Sequence, residues 1–251
     1  MTNGQRSVGA PSRIGVASAC PFPFLSAAHR ATLLVIGHWP LVIVFLLLAA
    51  VARADLVIVQ KVEGGGLSGD QTLHIKDDQA RCDVAGAFSL LVNRKTGETT
   101  TLSHGQKGYM TVSPETSAAM IARLRGARGS DAPPALVATG KKEKIGDYQC
   151  ELFTAELGGV KATYWLAKDY PNYPALLAQM DIVESNPLSG AAGGVAPRTK
   201  DLPGMPMKIL MEMNGQKITV TLVSVKEEPV DPAIFKIPDD YKELPAAPPG
   251  K

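Results

Sequence analysis

Residues 207–225 read MKILMEMNGQKITVTLVSV, two apolar-rich arms flanking Asn214-Gly215. Asn-Gly is the preferred pair for a two-residue type I′ turn, because both central residues must take positive φ. In the second arm Lys217, Thr219 and Thr221 alternate with Ile218, Val220 and Leu222. That period of two describes a strand with one wet and one buried face. The stretch therefore predicts an antiparallel hairpin, Met207–Met213 with Gln216–Val225, and sets the chain among β proteins.

The same short rhythm runs back toward Asp55. Asp55–Val62, Gln71–Lys76, Ala80–Val84, Phe88–Val92, Glu98–Ser103 and Tyr109–Val112 read as strands. Gly64–Gly66, Asp77-Asp78, Asn93–Gly97 and Gly105–Gly108 separate them. Strands this close together pair antiparallel, since parallel neighbours need crossovers of a dozen residues or more. Ala135–Thr139 (extending to Lys144), Tyr148–Glu156 and Val160–Ala167 continue the pattern.

Two helices interrupt it. Ser113 can cap, Pro114 suits the first helical position, and Glu115 favours the dipole. Ala119, Met120, Ile121 and Leu124 then recur at helical spacing until Gly126 and Gly129. Pro174–Glu184 is the second helix, with Leu176, Leu177, Met180, Ile182 and Val183 apolar. Ser185–Pro203 is Gly-, Ala- and Pro-rich without periodicity and reads as a mobile loop or lid. About eleven strands and two helices without βαβ alternation describe a mainly β domain.

Upstream, Ala31–Ala54 reads ATLLVIGHWPLVIVFLLLAAVARA, with no polar side chain from Leu41 to Val51. Arg6, Arg13, His29 and Arg30 precede it without any acid, and it exits through Ala52-Arg53-Ala54. A positive flank, an apolar core and an A-x-A exit describe a secretion signal cleaved between Ala54 and Asp55. The alternative is an anchor in the inner membrane formed by residues 31–51, against which His38 and Pro40 interrupt the segment. Residues 55–251 then form one exported, periplasmic domain. All 24 acids lie in it, whereas four of the 26 Lys and Arg precede it, which leaves 22 against 24. No basic cluster interleaves with aromatics, which excludes nucleic acid as a partner. Nothing in the residues specifies an oligomeric state.

The chemistry-bearing residues are few. Gly66-Leu67-Ser68-Gly69 is only a fragment of a nucleophile elbow, and no metal, P-loop or dinucleotide motif occurs. The sequence thus predicts neither a catalytic residue nor a cofactor. His74 alternates with Thr72 and Lys76 and reads as solvent-facing; His104 reads as a turn residue before Gly105. Cys82 and Cys150 permit a disulfide in an oxidising compartment, and equally suit two small buried side chains. Tyr164 and Trp165 point to opposite sides of one strand, while Tyr170 and Tyr173 suit packing at a strand-to-helix corner. Met207, Met211 and Met213 share a strand face with Ile209. Methionine recurs where a surface adapts to varied apolar partners, so these four residues are the candidate ligand cavity; the alternative is ordinary core.

Several stretches carry a family resemblance: SVKEEPVDPAIFKIPDDYKEL (224–244), VQKVEGGGLSG (59–69), the R-x-D-V of Arg81–Val84, KKEKIGDYQCELFTAELGG (141–159), TYWLAKDYPNY (163–173) and residues 202–225. With these, the chain from about Asp55 to Leu244 resembles a secreted bacterial family of unknown function, DUF4412. The family is similar in strand order and closing motif to LolA- and LolB-like periplasmic carriers that sort lipoproteins. The resemblance implies an incomplete β-barrel of about eleven strands whose two or three helices plug an apolar concavity. It supplies no catalytic or binding residues. The expected function is a non-enzymatic binder of a lipid, acyl chain or lipoprotein, the alternative an envelope protein-interaction module without a ligand.

Overall fold

A computed structural model describes residues 54–126, 133–157, 159–185 and 196–245. The signal or anchor segment, residues 1–53, and residues 186–195 of the expected loop lie outside the described residues. The meander runs β1 (Leu56–Gly64), β2 (Leu67–Lys76), β3 (Gln79–Val84), β4 (Phe88–Asn93), β5 (Glu98–Ser103) and β6 (Gly108–Val112). After α1 (Pro114–Gly126) come β7 (Val137–Ile145), β8 (Tyr148–Leu157) and β9 (Val160–Ala167). Then follow α2 (Tyr173–Met180), β10 (Met205–Met213), β11 (Gln216–Glu227) and a two-residue β12 (Lys242–Glu243).

All twelve strands lie in one sheet ordered β12-β6-β5-β4-β3-β2-β1-β11-β10-β9-β8-β7. The pairing of β1 with β11 joins the two meanders, and β12 alone runs parallel to its neighbour, β6. The fold is mainly β: a curved sheet that does not close. Register shifts opposite Val59/Gln60, at Pro206/Lys208 and between Ala138 and Lys142 mark bulges, which bend strands and increase their twist. The first leaves Val223 out of register and 61% exposed on an otherwise central strand. At the β7 edge, nearly every side chain is exposed. Lys141, Lys142 and Lys144 together with the bulge there discourage further strand addition.

Asn214 (φ 51°) and Gly215 (φ 78°) both adopt the left-handed backbone, as a type I′ turn requires. Glu212 pairs with Lys217 beside the turn, their side chains 3.0 Å apart. Asn214→Val should destabilise the fold by about 1–3 kcal/mol, because a β-branched residue resists positive φ. An unchanged urea midpoint would contradict this.

The two helices differ in what they bury. α2 continues as a 3₁₀ turn, Asp181–Ser185, and together they bury Leu176, Leu177, Met180 and Ile182. This unit touches β10 on one side and β3 and β4 on the other, and so straps across the inner face of the sheet. Beneath it lie the paired residues Leu56, Ile75, Ala80 and Val92, all nearly inaccessible. Thr199–Asp201, the end of the expected loop, forms another 3₁₀ turn. Leu202 is buried beside it, and the Thr199 amide donates to Glu184 Oε1 at 2.5 Å.

α1 departs from expectation. Its cap forms, Ser113 Oγ accepting from the Thr116 amide at 3.2 Å. Among its described side chains, however, only Ser117 is buried, and Met120 is 42% exposed. The helix carries three small alanines and only short runs of large apolar residues, so docking it would remove little apolar area from water. Among the described helical side chains, the large buried apolar ones all belong to α2 and its 3₁₀ extension.

The strand that opens the domain is fastened by its first side chain. Asp55 accepts from Lys76 Nζ at 2.5 Å and from the Val230 amide at 2.9 Å. Burial alone would raise its pKa, but these two donors outweigh it and hold the carboxyl below the ordinary value of 3.8. A depressed folded pKa gives stability that is fully present above the unfolded value and lost as pH falls through the folded one. Asp55→Asn should therefore lower the urea midpoint at neutral pH and flatten its decline below about pH 4. A variant with the wild-type acid profile would contradict the pairing.

Candidate functional site

The candidate site is the part of the inner face that α2 leaves uncovered. Pairing builds it in cross-strand rows. Phe153, Tyr164, Ile209, Val220 and Val62 form one, and Ala155, Ala162, Met211 and Ile218 the next. Toward β3 and β4, Ile58, Leu73, Cys82 and Leu90 form another. Along β10 exposure rises steadily: Met207 is 7% exposed, Ile209 and Met211 are half-buried, and Met213 is 47% exposed. On the neighbouring β11, Ile218, Val220 and Leu222 are all half-buried. A central strand of a twelve-stranded sheet would normally bury one face. Here an apolar face emerges from under the helix and reaches solvent toward the Asn214-Gly215 turn.

The four candidate residues are thus neither equivalent nor all core. Met207 belongs to the packed interior, Ile209 and Met211 line its margin, and Met213 lies at the rim. Where α2 begins, a cleft of about 270 Å³ lies between Tyr148, Tyr170, Pro171, Asn172, Leu176, Val225 and Glu227. Tyr148 and Tyr170 stack there with centroids 4.9 Å apart, the corner-packing role expected of Tyr170. Tyr164 and Trp165 do point to opposite faces. Tyr164 lies inward, where burial and the nearby Glu184 push its phenol up to about 12. Trp165 lies outward, donating to Glu143 Oε2 at 2.7 Å with Lys208 Nζ 4.6 Å from its ring centroid.

The cysteines do not meet. Both thiols are free, and in the sheet five strands separate β3, which carries Cys82, from β8, which carries Cys150. A disulfide needs Cα atoms within about 7 Å, whereas adjacent strands alone are about 4.8 Å apart. Cys82 lies on the inner face, and burial pushes its thiol up to about 12. Cys150 is fully buried, and its thiol is likewise raised by burial.

A family model for a domain of unknown function matches residues 58–241. The chain belongs to the DUF4412 family. No curated protein matches it. Among solved structures, PNGF-II is 14% identical over 76% of this chain at a TM-score of 0.40, and the DUF4412 chain spans 31% of its length. LppX, a lipoprotein of Mycobacterium tuberculosis, is 11% identical with a TM-score of 0.35, the match covering 71% of this chain and 88% of LppX. A LolA superfamily protein from Nitrosomonas europaea is 8% identical with a TM-score of 0.28, covering 74% of this chain and 91% of its own. At these scores the likenesses add nothing to the architecture already described.

Two of the family-like stretches of this DUF4412 chain meet on the outer face. Arg81 Nε donates to both oxygens of Asp83, at 2.8 and 3.1 Å, and Nη1 donates to the Ile234 carbonyl at 2.7 Å. Arg81 Nη2 reaches Ser89 Oγ at 3.1 Å, and Ser89 Oγ also contacts Asp83 Oδ1. His104 Nε2 lies 2.7 Å from Ser89 Oγ, and its Nδ1 lies 2.6 Å from the Tyr241 hydroxyl. The R-x-D-V motif thus holds the closing segment, Val230–Leu244, against the sheet. His104, read from sequence as a turn residue, is the link between strand and segment.

Asp, Ser and His within hydrogen-bonding reach invite comparison with a hydrolase triad. The order is wrong for it, because the serine rather than the histidine sits in the middle. Ser89 donates its one proton to the acceptor-only carboxylate of Asp83, so His104 must donate from Nε2 and accept from Tyr241 at Nδ1. A histidine in that tautomer cannot take the serine proton, and Ser89 is fully buried. The arrangement is a fastening. Among the described residues no cluster of His, Cys, Asp and Glu could hold a metal ion, and no helix is long and apolar enough to cross a membrane.

Proposed function

We propose that this DUF4412 domain is an exported, non-catalytic carrier holding one apolar ligand, a lipid or acyl chain, on the inner face of its sheet. The observation that carries the proposal is the half-exposed apolar face of β10 and β11 beside the α2 cover. Covering such a face with hydrocarbon gains about 0.8 kcal/mol per buried CH₂. Methionines suit an occupant of variable shape, since their side chains adapt without strain. The apolar leader and its A-x-A exit support export to the periplasm. N-terminal sequencing of the exported protein should then begin Asp55-Leu56-Val57, whereas an intact Leu41–Val51 segment in the membrane fraction would mean an anchored domain.

Titration with N-phenyl-1-naphthylamine, whose fluorescence rises in apolar surroundings, tests the carrier reading. A single saturable class of sites, displaced by fatty acid, is the expected result. Linear, unsaturable fluorescence, or none, would contradict it. A second reading, an envelope protein-interaction module, draws on α1, which shows Met120 to solvent. It predicts loss of a protein partner on Met120→Lys with dye binding intact.

A further inference from the structure

Across the middle of the inner face runs a row that is not wholly apolar: Leu222, Gln60, Gln71, Val84 and Phe88. Gln60 is 9% exposed, on the same face as Ile58 and Val62. Gln71 Nε2 donates to Gln60 Oε1 at 3.3 Å, and the Cys82 thiol bonds to Gln71. Two primary amides bring four N–H donors and two carbonyl acceptors. One mutual bond leaves the Gln60 amide nitrogen without a partner among the described residues. Exchanging O and N of both amides merely moves the free donors to Gln71. That nitrogen is not wholly shut from solvent, so it is satisfied while water reaches it, but an apolar ligand laid over the row must either accept from it or strip that water away. The remaining neighbours in the row, Leu222, Val84 and Phe88, offer no side-chain acceptor.

We infer that the Gln60–Gln71 pair is a polar subsite within the apolar face, and that the ligand class is a hydrocarbon chain bearing a carbonyl acceptor, as in a fatty acid or an acyl ester. The inference rests on the carrier reading and sharpens it: the chain lies along Ile209, Met211 and Ile218, and its carboxyl or ester oxygen accepts from the free amide. A bare hydrocarbon leaves that donor unanswered and binds more weakly. A site that requires a hydrogen-bonding partner discriminates far more sharply than one that senses only shape.

The test measures displacement of N-phenyl-1-naphthylamine by dodecanoic acid, methyl dodecanoate and dodecane, from the wild type and from the Gln60→Leu/Gln71→Leu double variant. The wild type should prefer the acid over dodecane by about 10–100-fold, the range for a hydrogen bond to a charged acceptor. A matching preference for the ester assigns the contact to the carbonyl oxygen, and its absence assigns it to the carboxylate; both support the subsite. The double variant should lose the preference and still bind the dye. Wild type that binds dye yet ranks the three competitors alike overturns the subsite while leaving the carrier reading intact, and so does a double variant that keeps the preference. Wild type that binds no dye overturns both. Should the double variant fail to fold, the nearly isosteric Gln60→Met/Gln71→Met variant removes the same donors and gives the same comparison.

Discussion

Replacing Arg81 with alanine should cost about 2–4 kcal/mol, the range for losing charged hydrogen bonds in a mostly buried setting. Its guanidinium makes four bonds at once, to both Asp83 oxygens, to Ser89 and to the Ile234 carbonyl. Deleting it leaves the Asp83 carboxylate beside a buried serine with its counter-charge gone. It also frees Ile234 and with it the 3₁₀ turn Pro232–Phe235 that crosses β3. Arg81→Lys should recover little, because a point-like ammonium cannot serve partners in different directions as a planar fork does. Tyr241→Phe removes a single neutral bond and should cost about 1 kcal/mol. Urea unfolding orders these variants, and hydrogen exchange at Lys242–Glu243 reports release of the segment. Equal midpoints for wild type and Arg81→Ala would show that the cluster fastens nothing.

Met211→Glu should abolish binding of an apolar dye while leaving the domain folded. Met211 is only half-buried, so a carboxylate there can keep water, whereas an apolar ligand laid over it would have to strip that water away. Losing a desolvated contact of this kind costs several kcal/mol of binding, a drop of at least about 100-fold. Four residues up the same strand, Met207 belongs to the core cluster that also holds Leu176 and Leu177. Met207→Glu should therefore unfold the protein, since a close-packed interior cannot admit water around a charge. The pair separates a binding face from a filled core along a single strand. If Met211→Glu unfolds as Met207→Glu does, or folds and still binds dye normally, the binding face is lost.

What could be read from the sequence was local. The Asn214-Gly215 turn and the alternation from Gln216 to Leu222 determine their own conformation, and the strand boundaries from β3 to β9 follow from Gly, Asn and Asp placed between apolar pairs. The pairing of β1 with β11 rests on no local signal, because it joins residues more than 150 positions apart. The same is true of Arg81, Ser89, His104 and Tyr241: each is unremarked in its own segment, and only the closing segment brings them together. α1 shows the converse failure. Its cap was correctly read, yet caps and spacing say where a helix starts and stops, not whether its apolar residues are large enough to dock. The cysteines were open for a related reason, since a spacing of residues says nothing of which strands intervene. Within the candidate site, the face of Met207, Ile209, Met211 and Met213 was legible from alternation. The gradient of burial along it was not, because it depends on where α2 and its 3₁₀ extension end.

The central claim is that this inner face holds an apolar ligand, and native mass spectrometry of the protein purified from its own envelope tests it most directly. The account predicts a second species heavier by the mass of one lipid or acyl chain, lost in parallel with dye binding in Met211→Glu. A clean ligand-free mass from every preparation, with no species recovered on adding fatty acid, would contradict it.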